Sequence, residues 1–244
     1  MTTEKQIRKW ENINCLVHKK LSSNAENYLY AMYYLNEKNE KITASSILEY
    51  IKLLPSSENL GTSLPTVTGM IKRMTRDHLI TKNKNNEILL TEYGKISAKE
   101  QTKRFRLASK FIYEILNIEL HNVFREAHML EHAMSQDLAN AIEKLLNFPT
   151  KDPFGQEIPG SKKTKKEPLI PLSESSINNT YKISTIPPEN SSFVEFLYKN
   201  NIIPGTEITI DEISDTRGII NIKVNKKNLD LALNVAKTIW VKHI

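Results

Sequence analysis

Ser63-Leu64-Pro65-Thr66-Val67-Thr68-Gly69-Met70-Ile71-Lys72-Arg73-Met74 is the stretch on which the fold turns. Ser63 can cap a helix through its hydroxyl, and Pro65 suits a first turn, where its missing N–H is not needed. Val67, Met70, Ile71 and Met74 then share an apolar face. Thr66, Thr68, Gly69, Lys72 and Arg73 make the other face, small and basic. Short hydroxyls beside Lys and Arg suit a helix laid in the DNA major groove, with the cations on phosphates. An ordinary surface helix could carry the same residues, so the neighbouring elements decide.

Upstream, Ser23-Asn24-Ala25-Glu26 has the spacing of a capping box with Ser23 as N-cap. Tyr28, Leu29, Met32, Tyr33 and Leu35 follow at helical spacing. Thr43 can cap a second helix whose buried stripe is Ala44, Ile47, Leu48 and Ile51. Residues 55–61 form a polar loop before the quoted helix. Downstream, His78-Leu79-Ile80 and Glu87-Ile88-Leu89-Leu90-Thr91 flank a tip of Lys82, Asn83, Lys84, Asn85 and Asn86, which predicts a β-hairpin. Three helices and a hairpin in this order describe a winged helix-turn-helix. The DNA-facing set is then Ser63, Pro65, Thr66, Thr68, Gly69, Lys72 and Arg73, with Lys82 and Lys84 on the wing.

Further along, Tyr93, Ile96, Phe105, Phe111, Ile112 and Leu116 mark a long helix over 93–118, and Val123 opens another. The latter contains Glu126-Ala127-His128-Met129-Leu130-Glu131-His132, in which His128, Glu131 and His132 stand at i, i+3 and i+4 on one face. Two imidazoles and a carboxylate suit a divalent transition metal. Two alternatives share this spacing: a solvated helix face, and the H-x-x-E-H signature of a zinc hydrolase. Ser135 caps a last helix that runs to Asn147 and stops at Phe148-Pro149. These helices offer more apolar residues than one small domain needs, which points to a helical dimer interface. A turn-rich segment, 151–160, leads to a Lys-rich run. From Tyr181 short alternating strands follow, at 181–186, 207–211, 219–224 and 238–241, with a helix over 193–199; they predict a small closed β-barrel of about seventy residues.

The fold expected is therefore mainly α with a small all-β domain. Residues 1–22 are an extension, either a short helix near Trp10 and Leu16 or a tail. Residues 23–95 are the winged helix-turn-helix, 96–160 a helical dimerisation and metal-binding domain, 161–176 a linker and 177–244 the barrel. Lys and Arg total 34 against 28 Asp and Glu, a net charge of +6 that favours an anionic partner such as nucleic acid. A single cysteine, Cys15, excludes an internal disulfide and Cys-rich metal clusters. The chain has neither a membrane-spanning apolar run nor an apolar leader at its start, so a cytoplasmic location is expected.

Taken together, these parts resemble the diphtheria toxin repressor and manganese transport regulator family of metal-dependent repressors. The resemblance rests on Glu26-Asn27-Tyr28-Leu29, the quoted helix, Leu90-Thr91-Glu92-Tyr93-Gly94, the stretch around His128, and Asp152-Pro153-Phe154-Gly155-Gln156-Glu157-Ile158-Pro159-Gly160. In the C-terminal region, Asn201-Ile202-Ile203-Pro204-Gly205 and Ala236-Lys237-Thr238-Ile239 look like the FeoA-type, Src-homology-3-like barrel of the longer members. The resemblance implies a homodimer that binds a palindromic DNA operator when metal is bound. It also implies a principal metal site of Asn27, His128, Glu131 and His132, with Glu189 as a further candidate. At Asn27 the family usually has Met or Asp. The family's ancillary ligands fall here on Phe105, Ser109 and Phe124, so that second site is expected to be absent.

The sequence thus predicts a metal-dependent transcriptional regulator of iron or manganese homeostasis genes, not an enzyme. Its ion is Mn or Fe, with Zn open. Two alternatives are a regulator of the same fold that has lost metal sensing, and the zinc hydrolase.

Overall fold

A computed structural model describes residues 21–54, 60–162 and 168–244. Most of the expected extension 1–22, much of the 55–61 loop and most of the Lys-rich run lie outside the described residues. The chain divides into two compact units, Met1–Arg104 and Phe105–Ile244.

In the N-terminal unit three helices form where the caps require. Helix α1 spans Ser23–Glu37, but its N-cap is Ser22, one residue ahead of the expected Ser23, with Ser22 Oγ accepting from Ala25 N at 3.4 Å. Helix α2 (Ala44–Ile51) starts at a capping box between Thr43 and Ser46. Helix α3 (Leu64–Arg76) starts at Ser63, with Pro65 in its first turn. Strands β1 (Ile80–Lys82) and β2 (Ile88–Leu90) pair antiparallel, Ile80 opposite Leu90. Leu29, Met32, Ile47, Val67, Ile71, Met74, Leu79 and Ile88 close one core behind them.

Thr91 ties the wing to the next helix, α4 (Glu92–Glu114). Its Oγ1 donates to His78 O at 2.7 Å and accepts from Gly94 N at 3.0 Å. A Cβ at Gly94 would collide with the Leu79 carbonyl, which is why that position is glycine. The unit boundary falls within α4, between Arg104 and Phe105.

The C-terminal unit continues with α5 (Leu120–Ala133) and α6 (Gln136–Leu145). Helix α5 begins three residues before the expected Val123. Helix α6 is capped by Ser135 and ends two residues early, because Asn147 and Phe148 both take left-handed backbone, at φ +57° and +55°. The 151–160 segment is not a loose turn. Asp152 Oδ1 accepts from Phe154 N at 3.0 Å and Gln156 N at 2.8 Å, and Lys151 bridges to Glu157. The fully buried Arg106 of α4 donates through Nη1 to Glu157 O, and Phe154 O accepts from Ile186 N at 3.0 Å. This knot therefore joins α4 to the β-domain.

The β-domain is an antiparallel sheet in the order β3-β8-β4-β5-β6-β7. Its strands are β3 (Ile170–Pro171), β4 (Thr180–Thr185), β5 (Glu207–Ser214), β6 (Ile219–Val224), β7 (Lys227–Ala232) and β8 (Trp240–His243). Helix α7 (Ser191–Lys199) lies between β4 and β5, and a short α8 (Leu233–Ala236) precedes β8. Two strand pairings lie outside the sequence reading. The sheet includes Ile170, which pairs with Val241 and lies within the expected linker 161–176. The sequence reading contains no β7, which pairs with β6 through a tight turn at Asn225 and Lys226, both at positive φ. Among the described residues the ladder runs from β3 to β7, which makes the expected small all-β domain.

Gly155 stands at φ +84°, and a Cβ there would strike the Ser184 carbonyl oxygen. Gly155→Ala should cost about 3 kcal/mol. Urea denaturation of the C-terminal unit reads this loss, and an unchanged midpoint would mean that the knot does not hold that unit together.

Candidate metal centre and nucleic-acid interface

Helix α5 places its polar donors on a face that is otherwise apolar. Val123, Phe124 and Ala127 are buried on it, and so are His128 and Glu131. The helical period puts Phe124, His128 and His132 on one ridge, four residues apart. His128, Glu131 and His132 each offer a ligand atom, and these atoms lie within 4.8 Å of one another. His128 is 0% exposed and Glu131 1%, while His132 keeps 14% of its side chain open. His132 Nε2 stands 3.4 Å from Glu131 Oε1. Burial first, and the neighbouring His132 second, push the His128 pKa down to about 3. Its imidazole is therefore neutral at pH 7 and holds a lone pair ready for a cation.

The donor set fits a divalent transition ion. A desolvated carboxylate is stabilised by a cation, and imidazole with carboxylate suits Mn, Fe or Zn, whereas Cu(I) prefers sulfur. Asn27 and Glu189 are the other expected ligands. Asn27 is fully buried on α1, in the N-terminal unit. Beside it, Glu26 Oε1 meets Arg104 Nη2 at 3.3 Å. Glu189 is half-buried ahead of α7 and does not join the three-residue group. Ser109 Oγ donates to Phe105 O at 2.9 Å, so this hydroxyl serves its own helix.

Sequence reasoning missed the rings around His128. Phe124 stacks on it and Phe105 meets it edge-on. The i, i+4 spacing of Phe124 and His128 is the one signal of this contact in the sequence.

On the N-terminal unit, Ser63, Pro65, Thr66, Gly69, Lys72 and Arg73 are exposed along α3, and Thr68 is half-buried. A Cβ at Gly69 would meet nothing within 4 Å, so this face is open to a ligand. Lys82 and Lys84 are exposed on the wing, whose tip is fixed by Asn83 Oδ1 accepting from Asn85 N and Glu87 N.

The family model for the iron dependent repressor, metal binding and dimerisation domain matches residues 91–160, and that for the FeoA domain matches 170–243. The iron-dependent repressor IdeR of Mycobacterium tuberculosis is 33% identical over 140 residues, covering 57% of this chain and 57% of that protein. The alignment thus spans little more than half the length of this relative. The diphtheria toxin repressor of Corynebacterium diphtheriae is 27% identical over 241 residues, covering 93% of this chain and 100% of that protein. Among solved structures, the manganese regulator SloR matches with a TM-score of 0.74 at 26% identity, covering 92% of this chain and 100% of that one.

The depressed pKa of His128 sets a pH dependence for the metal-free protein. Below its unfolded value of 6.5, the unfolded chain takes up a proton that the fold refuses, so stability falls as pH drops from 6.5 towards 3. The slope should approach about 1.4 kcal/mol per pH unit. Urea midpoints in chelator between pH 7.5 and 5 should show it. His128→Leu should flatten that dependence, and an equal slope in both proteins would place the proton uptake elsewhere.

Proposed function

Because the chain belongs to the diphtheria toxin repressor family, we propose that it is a metal-dependent, DNA-binding transcriptional regulator of iron or manganese genes. It acts as a homodimer on a palindromic operator. The observation that carries this reading is the buried group of His128, Glu131 and His132, inside the segment that matches a metal-binding and dimerisation domain.

A bound Mn or Fe ion supplies a double positive charge that several donors can share. His128 and His132 present imidazole nitrogens to it and Glu131 a carboxylate. Asn27, the fourth donor that the family resemblance implies, would be the one through which occupancy reaches the DNA-reading module. Such a donor makes metal affinity differ between DNA-competent and DNA-incompetent states, which is the requirement for linkage. In the N-terminal unit, α3 offers its small, open face to base edges, and Lys72, Arg73, Lys82 and Lys84 serve phosphates. Met129, Leu138, Leu145 and Phe148 of the C-terminal unit are exposed apolar side chains, which supports pairing through this region.

The protein is read as a binding protein and not as a hydrolase. Glu131 is almost fully buried among the ligand atoms, a setting that suits a ligand better than a base facing bulk water. Among the described residues no helix is long and apolar enough to cross a membrane. A cytoplasmic location is part of the proposal.

Duplex binding on genomic fragments, with chelator or with each divalent metal, tests the reading. Mn or Fe should tighten binding at least tenfold, and Glu131→Gln or Asn27→Ala should remove most of that gain. Lys72→Ala and Arg73→Ala should each weaken binding to all sequences and lower the salt slope by about 1. Equal affinity in chelator and metal would identify a regulator that no longer senses metal. Absence of duplex binding at low salt would end the DNA-binding reading.

A further inference from the structure

We propose that Phe105 and Phe124 are positioning residues of the metal centre, two rings that bracket the His128 imidazole and fix its orientation. This rests on the metal reading given above. The three rings form a closed triangle. Phe124 lies 5.6 Å from His128, centroid to centroid, at an interplanar angle of 17°. Phe105 lies 5.5 Å away at 77°, and the two phenyl rings are 5.3 Å apart at 69°. His132 closes the remaining side at 5.6 Å and 72°. Phe105, Phe124 and His128 are all buried.

The torsion that turns an imidazole is intrinsically soft and roughly two-fold. Turning it by half a revolution exchanges Nδ1 and Nε2, and only one of the two arrangements sets a given nitrogen towards Glu131 and His132. In a close-packed interior a stacked ring and an edge-on ring block that rotation, because neither can yield without opening the core. A phenyl ring has no lone pair to offer an ion. The two phenylalanines therefore act only through His128. They keep water off its outer side and hold its nitrogen where the other two donors already are.

Co(II) titration of the full-length chain tests this, followed by absorption and calorimetry, with urea stability measured in chelator. Phe124→Leu and Phe105→Leu should each weaken Co(II) binding about tenfold, the usual scale for groups that orient a ligand. They should also change the ligand-field bands. Phe154→Leu, a buried ring in the knot, should lower stability and leave Co(II) affinity within about twofold. Leucine variants that bind Co(II) with wild-type affinity and spectrum would overturn the bracket and leave the metal reading standing. A wild-type chain that takes no Co(II) or Mn(II) would overturn both. Should neither leucine variant fold, the metal-free wild type still decides by NMR. One set of His128 ring resonances in one tautomer is expected, and two interconverting sets would overturn the bracket.

Discussion

Burying His128 and Glu131, with His132 largely covered beside them, on a single helix face is the constraint that shapes the C-terminal unit. Water would otherwise satisfy two imidazoles and a carboxylate, and removing it costs free energy that apolar burial elsewhere must offset. Helix α5 meets the constraint by setting His128 and Glu131 among Val123, Phe124 and Ala127. Helix α4 contributes Phe105 to the same layer, and one helical turn further along its buried Ser109 turns back on its own backbone. The resulting environment holds His128 neutral, so its lone pair is available without a competing proton. The knot at 151–160 extends this rigidity, since Arg106 from α4 and Ile186 from the β-domain both bond to its backbone.

The N-terminal unit follows a different logic, in which local chemistry does most of the positioning. Ser22, Thr43 and Ser63 each start a helix by accepting a backbone N–H, and Thr91 links wing and helix in the same way. Each cap contributes about 1 kcal/mol and fixes a chain direction as well. The outcome is that α3 buries Val67, Ile71 and Met74 and leaves a face of short and basic side chains to the solvent. The basic residues there and on the wing belong to a chain of net charge +6, which suits approach to a polyanion.

Much of this was legible because the signals were local. Thr43, Ser63 and Ser135 were read as caps and are caps, and the hairpin and the i, i+3, i+4 spacing of His128, Glu131 and His132 required no tertiary knowledge. Losses came where partners decide. Ser22 and Ser23 are chemically equal N-caps, and only the backbone selects between them. Strand β7 buries Leu231, half-buries Leu229 and otherwise presents Lys227, Asn228 and Asp230, an alternation too short to read as a strand until β6 pairs with it. Glu189 came from its position in relatives, and its own surroundings do not bring it into the donor group. The aromatic contacts on His128 were hidden for the same reason, since Phe105 is nineteen positions from Phe124.

The donor set has an energetic consequence under the proposed reading. An ion that binds every state of the DNA-reading unit equally shifts none of them, however tightly it binds. Coupling needs an interaction free energy that differs between those states, through contacts, strain or entropy. Asn27 offers a neutral amide oxygen, which draws a divalent ion less strongly than a carboxylate would. On that reading His128, Glu131 and His132 would set how much metal is needed, and the Asn27 amide would bear on how far its arrival moves the DNA equilibrium. Affinity and response would then rest on different residues. Replacing Asn27 by a stronger donor would enlarge the response more than it would change the metal concentration at which the response begins, provided that the DNA-competent state is the minor one in the free protein.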